Sequence, residues 1–284
     1  MDAGKISETA ATTALMRALA CYETTAIDGL KWRDNLAEIF LSEEKRVKLA
    51  SEAYREAVKA KARNGLFPYM IARTAYFDRL FVDALRDGAG QIVILGAGFD
   101  SRAYRYREFR DATRIFEIDA SPTQAYKLDI LRRRGIDVGD VEFIAVDFEK
   151  DDLWAHLIRR GFAAGARTLW IWEGVTPYLT AAVVTATLGA ITRLTGRGIL
   201  AFDYLTRPVD GEKTIIRKDE VVRFGLRPNE MADFLRGFDL VARENIDADE
   251  MARLFLTLPD GSVFAEMKRS MAFVKAEKME TWRP

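Results

Sequence analysis

The chain has 284 residues, of which 49% are hydrophobic and 30% charged, and this composition supports one large buried core. Lysine plus arginine and aspartate plus glutamate both number 43, so no overall field would attract nucleic acid or an anionic membrane. The single cysteine, Cys21, excludes an internal disulfide and a cysteine-based zinc site. No run approaches the ~18 apolar residues of a membrane span, and the N-terminal sequence lacks the basic and apolar parts of a signal peptide. We expect a cytoplasmic protein with no metal and no nucleic-acid or membrane partner.

The first ninety residues have a helical pattern. Apolar positions recur at spacings of three and four residues over 8–22, 43–63 and 67–86. We therefore expect an all-helical N-terminal cap over residues 1–88, ahead of a different architecture in the rest of the chain.

From residue 89 onward the pattern changes to short apolar runs separated by amphipathic stretches. The runs that we predict as strands are 91–95, 114–118, 141–146, 168–172, 198–204, 238–243 and 270–275. The helix-like stretches between them include 121–134, 150–160 and 180–195. This alternation predicts an α/β fold whose parallel sheet is covered on both faces by helices. The charged stretch at 206–220 is predicted to be a lid and not a linker, because apolar runs resume after it.

A glycine turn follows the first predicted strand. Gly96 and Gly98 lack the Cβ atom that would block both a positive φ and the close approach of a ligand. A dinucleotide site has a third glycine where this chain has Ser101, and Asp100 places a negative charge where phosphates would lie. Repulsion in a dry pocket therefore disfavours NAD and ATP. A nucleoside without phosphates, such as the cationic S-adenosylmethionine, meets no such objection.

Two further strand ends carry acids suited to a nucleoside. Asp119 lies 21 residues after Gly98, the separation at which an acid reaches the hydroxyls of a ribose, although an acid here also suits the N-cap of the next helix. Asp147 stands beside Phe148, so a carboxylate can accept from an adenine amino group while apolar surface covers the base. Its alternative role is again helix capping. Ligands bind where the strands of an open parallel sheet end, so we expect these residues to line a pocket.

The fourth strand end, in the sequence WEGVTPYL, interrupts an apolar run with a carboxylate, a glycine, a proline and a tyrosine. Glu173, next to these residues, is predicted to line the same pocket.

The chain's one histidine, His156, falls on a predicted helix flank away from the strand ends, so we do not expect it to act as a base. If the S-adenosylmethionine considered above donates its methyl group, a missing base favours a carboxylate as the acceptor, because a carboxylate is already ionised and a phenol is not. Glu173, Tyr178 or Tyr204 is still able to help deprotonate a phenol of lowered pKa.

Several motifs together resemble the leucine carboxyl methyltransferase family of S-adenosylmethionine-dependent enzymes, and most closely its bacterial branch acting on small molecules. They are LGAGFDSRAYR from residue 95, FEID from 116, EGVTPYL from 173, RTAYFD from 73 and RFGL from 223. The agreement is specific from about residue 66 to 204. The resemblance implies a class I methyltransferase fold, Rossmann-like, with a seven-stranded sheet whose last strand is antiparallel. We expect one methyltransferase domain over 1–284, with the core at 89–284 and a lid insertion near 206–227.

The resemblance also implies roles for individual residues. In the amino-acid tail of S-adenosylmethionine, it implies that Arg73 contacts the carboxylate, Glu173 the ammonium, and Gly96 and Gly98 the rest of the methionine part. In the nucleoside, it implies that Asp119 contacts the ribose, and that Asp147 and Phe148 contact the adenine. It places Tyr178 near the methyl acceptor. The chain departs from the family at Phe99 and Ser101, where leucine or methionine and threonine are common, and both changes are mild.

We therefore predict an O-methyltransferase of secondary metabolism that forms the methyl ester of a small, anionic carboxylate, with Glu173, Tyr178 and Tyr204 as the catalytic candidates. Arg102 and Arg105 lie after the glycine turn, where they could attract an anionic acceptor, although the favoured interpretation of each is a solvated or salt-bridged residue. A phenolic O-methyltransferase or an N-methyltransferase is the alternative. Two further hypotheses are a non-catalytic S-adenosylmethionine-binding protein and a dehydrogenase.

Overall fold

The computed structural model describes residues 7–62, 65–206, 215–217 and 220–278. Its N-terminal part is helical, with α1 at Glu8–Ala20, α2 at Glu43–Leu49, α3 at Glu52–Lys61 and α4 at Leu66–Arg86. Short 3₁₀ turns at Asp28–Trp32 and Ala37–Phe40 connect α1 to α2. Within the described ranges, no helix combines the length and the apolarity needed to cross a membrane.

The segment 43–63, predicted to be helical, contains two helices. The first ends at Leu49, and Ser51 then adopts an extended conformation with φ −82° and ψ 122°. Its hydroxyl oxygen accepts a hydrogen bond from the Tyr54 N–H at 3.4 Å and so begins α3. The apolar spacing continues across this break, which is why periodicity alone did not reveal it.

Seven strands form the main sheet. Their bounds are β1 Gln91–Leu95, β2 Arg114–Asp119, β3 Val141–Ala145, β4 Arg167–Trp172, β5 Arg197–Leu205, β6 Leu240–Ile246 and β7 Met271–Lys278. The strand order is β3-β2-β1-β4-β5-β7-β6. The first five strands are parallel, and β7 lies antiparallel between β5 and β6. The predicted seven-stranded α/β sheet with an antiparallel last strand is confirmed.

Helices cover both faces of this sheet. Those after β1 are α5 Arg102–Arg105, α6 Ser121–Arg133, α7 Leu153–Arg159, α8 Ala181–Leu194, α9 Met231–Arg236 and α10 Ala248–Phe255. Successive side chains of a strand point to opposite faces, so Ile92 and Ile94 pack in the core that contains α4, while Val93 and Leu95 pack in the core that contains α7 and α8. Burial on both faces explains why the strands appear in the sequence as continuous apolar runs.

The sheet order creates a crevice between β1 and β4. The chain moves outward from β1 to β2 and β3 on one side, and from β4 to β5 on the other. The carboxyl ends of β1 and β4 are therefore neighbours from which the connecting loops diverge, and in open α/β sheets this is where ligands bind. The cavity described below opens at this point.

The predicted lid lies mostly outside the described residues, which omit 207–214, 218 and 219. The described part contains a short antiparallel ribbon, Ile215–Arg217 with Glu220–Val221. After it, the Arg223 N–H donates to the Pro177 carbonyl at 2.7 Å, so the chain returns beside the segment that follows β4. The role of a lid stays a prediction.

Candidate functional site

A cavity of about 400 Å³ lies at the carboxyl ends of β1, β2, β3 and β4. Its walls come from the glycine turn after β1, from the ends of the three neighbouring strands, and from the N-terminal half of α1. Eight of the nine predicted site residues line it: Arg73, Gly96, Gly98, Asp119, Asp147, Phe148, Glu173 and Tyr178. Asp100, beside the glycine turn, lines it as well. The four strand ends singled out in the sequence are thus brought to one cavity.

The glycine turn needs glycine at both predicted positions. Gly96 has φ +66° and Gly98 has φ +48°, in the left-handed region that side chains other than glycine rarely adopt. A Cβ atom at Gly96 would also overlap Val175 Cγ2, in the segment after β4. The Gly98 N–H donates to the Asp119 carboxylate, which ties the turn to the end of β2.

Asp119 lines the cavity and does not cap the next helix. One carboxylate oxygen accepts from the Gly98 N–H, and the other accepts from the Ala120 N–H at 2.6 Å. Helix α6 begins after Ala120 without any side-chain cap. Burial raises the pKa of Asp119 above its ordinary value, partly offset by these two backbone hydrogen bonds. The helix-capping alternative is therefore not what the structure shows.

Asp147 and Phe148 line the cavity just beyond the end of β3. Asp147 pairs with Lys150 at 2.7 Å, and this hydrogen bond lowers the pKa of its carboxyl. Helix α7 is capped by Asp152, whose oxygen accepts from the Ala155 N–H at 3.3 Å, so Asp147 is not the cap here either. Phe148 is half-buried against the core that contains α7 and α8.

A continuous set of buried ion pairs extends from the cavity floor into the protein, and we call it the buried charge cluster. Its members are Arg17, Asp34, Arg73, Asp78, Asp100, Arg102, Arg105, Glu173 and Asp203, and each side chain is less than one tenth exposed. Glu173 lies 2.9 Å from Arg73 Nε and 2.7 Å from an Arg102 terminal nitrogen. Sequence reasoning placed some of these residues at the site but did not predict that they pair with one another.

Arg102 and Arg105 do not line the cavity, and both are salt-bridged, in agreement with the interpretation favoured for each. Arg102 is 1% exposed and contacts Asp78 at 2.6 Å as well as Asp100 and Glu173. Arg105 holds Asp78 at 2.6 Å and Asp34 at 3.3 Å. Both guanidinium groups point into the protein because buried carboxylates need counter-ions there.

The charge of Asp100 is matched inside the protein. Its carboxylate accepts from the Arg102 N–H at 2.8 Å and pairs with the guanidinium of the same residue. Burial is the largest single influence on the pKa of Asp100 and acts to raise it. The charges of Arg102, Lys127 and Arg17 and the hydrogen bond from the Arg102 N–H together outweigh burial and lower that pKa. The predicted repulsion of a phosphate is weaker than an isolated carboxylate would produce, and the choice of ligand therefore rests more on the other residues of the cavity.

The first helix contributes a wall that sequence reasoning missed. Ser7, Ala10 and Arg17 line the cavity, and the Arg17 guanidinium donates to the Phe99 carbonyl at 2.8 Å. Arg17 also lies 3.3 Å from Asp34. A signal was available, because this arginine stands inside the apolar sequence ALMRALA, where a buried charge needs a partner.

Tyr204 is not part of the cavity, which corrects its prediction as a catalytic residue. It is fully buried in the core that contains α8, and its hydroxyl donates to Asn245 at 2.7 Å. The neighbouring Asp203 points to the other face of β5, as strand alternation requires. There it accepts from the Tyr69 hydroxyl at 2.6 Å and from the Gly174 N–H at 2.6 Å. Asp203 thus holds α4 against the segment that follows β4.

His156 lies on α7 and does not line the cavity. It is the only histidine of the chain, so no histidine stands in the cavity wall. Across the described ranges, no three His, Cys, Asp or Glu side chains are grouped to hold a metal ion.

Comparison with known proteins agrees with this geometry. The family model for leucine carboxyl methyltransferase matches residues 10–192, which is more than half of the chain and includes the glycine turn, β2, β3 and the end of β4. The chain belongs to the leucine carboxyl methyltransferase family. The resemblance predicted from the sequence motifs is confirmed.

Relatives of this leucine carboxyl methyltransferase family member occur in mycobacteria. A protein of Mycobacterium ulcerans, named as an S-adenosyl-L-methionine-dependent methyltransferase, is 34% identical over 206 residues, which are 67% of this chain and 64% of the relative. A Mycobacterium avium protein with the same name is 40% identical over 131 residues, which are 46% of this chain and 41% of the relative. The aligned part of the chain therefore spans less than two thirds of either relative.

A solved structure supports the fold. A Thermobifida fusca protein described as a methyltransferase superposes with a TM-score of 0.58, covers 94% of each chain and is 15% identical. At this identity the likeness concerns the architecture alone, which is the class I methyltransferase fold.

The substitution G96A tests the glycine turn. It combines a strained positive φ with an overlap against Val175, and we expect a loss of about 2–4 kcal/mol in the free energy of unfolding. The control is G88A, because Gly88 has φ +67° with no neighbouring atom within 4 Å, and it should lose only about 1 kcal/mol. Urea denaturation measures both. Equal losses would show that Val175 does not constrain the turn.

Proposed function

We propose that this protein is an S-adenosylmethionine-dependent O-methyltransferase that transfers a methyl group to the carboxylate of a small molecule. The observation that carries the proposal is the Arg73–Glu173 ion pair, 2.9 Å apart at the cavity floor, in the same cavity as Asp119. An amino-acid tail has one carboxylate and one ammonium, so it can exchange partners with such a pair. The Asp119 carboxylate then suits the two hydroxyls of a ribose.

The charge of the cavity wall fits a cationic nucleoside. Among the described lining residues are six acids and four cationic side chains: Asp100, Asp119, Asp147, Glu149, Asp151 and Glu173 against Arg17, Arg73, Lys150 and Arg223. S-adenosylmethionine carries a sulfonium and an ammonium against one carboxylate, so this acidic excess favours it over a phosphate-bearing nucleotide. Asp147 and Phe148 would receive the adenine, and the backbone at Gly96 and Gly98 would lie close under the methionine part.

The transfer reaction requires the protein mainly to align the methyl donor with the acceptor. Bound S-adenosylmethionine supplies an activated methyl group, whose bond to sulfur breaks as the acceptor oxygen bonds to the carbon, leaving S-adenosylhomocysteine. The protein aligns the acceptor and excludes water. A carboxylate acceptor needs no base at neutral pH. This agrees with the position of His156 outside the cavity.

Arg223 is the cation that we propose for the acceptor carboxylate. It lines the cavity, and its pair with Glu149, at 2.9 Å, joins two side chains that are 45% and 43% exposed. Such a pair contributes only about 0–1 kcal/mol, so an incoming carboxylate can displace Glu149. Tyr178, which lines the same cavity, would lie near the acceptor.

A methyl-label assay tests the acceptor class. The protein is incubated with S-adenosylmethionine carrying a tritiated methyl group and with separate panels of small carboxylic acids, phenols and amines. We expect label in the acid panel, released as volatile methanol by mild alkali, because methyl esters are hydrolysed there and aryl ethers and methylamines are not. Alkali-stable label would favour the phenol or amine alternative, and no label with any panel would favour a binding protein.

The substitution H156Q tests the missing base. With a carboxylate acceptor, turnover should stay within about twofold of the parent protein, because no histidine takes a proton. Steady-state kinetics with the acid found above measures it, and circular dichroism checks folding. A large loss of turnover in a folded variant would contradict a base-free transfer.

The substitution D119N tests the ribose contact. Loss of a charge-assisted acceptor should weaken S-adenosylhomocysteine binding by about 1–3 kcal/mol. Titration calorimetry measures it, with D129N as the control, since Asp129 is a half-exposed acid of α6 that pairs with Arg133 and does not line the cavity. Unchanged affinity in D119N would remove this residue from the site.

A further inference from the structure

Arg102 joins three walls of the cavity through one guanidinium group. Its Nε lies 2.6 Å from Asp78 on α4, one terminal nitrogen contacts Asp100 in the glycine turn, and the other lies 2.7 Å from Glu173 after β4. The side chain is 1% exposed and does not line the cavity. All three ends of a planar donor are thus occupied, which fixes its orientation.

Glu173 has two cationic partners, and they differ in their access to a ligand. Arg73 lines the cavity and also lies 3.7 Å from Asp203, whereas Arg102 is shielded behind Glu173. Under the proposed function, the carboxylate of the cofactor tail takes Arg73. Glu173 then loses part of its interaction with Arg73, while its contact with Arg102 is out of reach of the ligand.

We propose that Arg102 is a positioning residue that keeps Glu173 aimed at the ammonium of the cofactor while Arg73 turns to the cofactor carboxylate. This inference rests on the proposed function. Arg102 touches no part of the ligand itself. It acts through Glu173, because a buried carboxylate that loses its fixed counter-ion would rotate toward another partner, and this rotation removes the acceptor for the ammonium.

A purely structural role predicts a different result. Arg102 also holds Asp100, so its loss could disturb the glycine turn as a whole. Such a disturbance would weaken the binding of the adenosine and of the amino-acid tail alike. A role of Arg102 through Glu173 affects the binding of the tail alone. Two ligands that differ only in the tail therefore distinguish the positioning role from the structural one.

The experiment compares S-adenosylhomocysteine with 5′-methylthioadenosine, which retains the adenosine and the thioether but has no amino-acid tail. In R102K one ammonium replaces three fixed donors, so we expect about tenfold weaker binding of S-adenosylhomocysteine and a change of less than about twofold for 5′-methylthioadenosine. Titration calorimetry measures both ligands. The matched control is R105K, since Arg105 is a buried arginine of the same helix that pairs with Asp78 and Asp34 and not with Glu173. It should leave the ratio of the two affinities at its value in the parent protein.

The outcomes are distinct. Equal weakening of both ligands in R102K, or no weakening of either, overturns the inference, as does an R105K protein with the same tail-specific loss. If the parent protein binds neither ligand, the proposed function fails instead. Should R102K not fold, R102Q/D78N removes one charge of each sign and still deprives Glu173 of its shielded partner. The same tail-specific loss of affinity is expected there. The double variant E173Q/R102K should bind S-adenosylhomocysteine no more weakly than E173Q alone, because Arg102 acts through Glu173.

Discussion

The buried charge cluster is the constraint on which the rest of this structure depends. Four arginines and five acids form one connected set of ion pairs beneath the cavity. An unpaired ion at such depth costs several kcal/mol, so each element that contributes one partner is held where its counter-ion lies. Helices α1 and α4, the glycine turn and the ends of β4 and β5 are thereby fixed against one another. The hydrophobic cores bring these elements close, and the ion pairs set their orientation.

The same pairing shapes what the cavity accepts. Arg73 and Glu173 satisfy each other, so a ligand that supplied only an anion or only a cation at this point would leave one of them without its partner. A zwitterionic tail exchanges both contacts at once and leaves the local charge unchanged. Phosphates are disfavoured by the acidic excess of the described wall more than by Asp100, whose charge Arg102 balances. A cavity that favours a zwitterionic tail over phosphates agrees with membership of the leucine carboxyl methyltransferase family.

Much of the fold was predictable because burial on both faces makes parallel strands appear as continuous apolar runs. The seven predicted runs all correspond to strands, with the largest shift at β6, which begins at Leu240 and extends to Ile246. Strand direction was not readable from such runs, since an apolar run has the same composition in either direction. The antiparallel β7 was expected from family resemblance alone. The division of 43–63 into two helices depended on a local cap at Ser51, which a periodic pattern does not register.

The sequence by itself determined the glycine turn, the acids that follow β2 and β3, and the interrupted end of β4, because these are local features whose chemistry lies within a few residues. Only the tertiary structure decided which charged side chains face the cavity and which face one another. Arg102 turns inward to Asp78, 24 positions away in the chain, and Asp203 reaches Tyr69 across 134 positions while Tyr204 turns to the opposite core. Strand alternation and the order of the sheet set these partners. Both are properties of how distant segments pack, and no local pattern contains them.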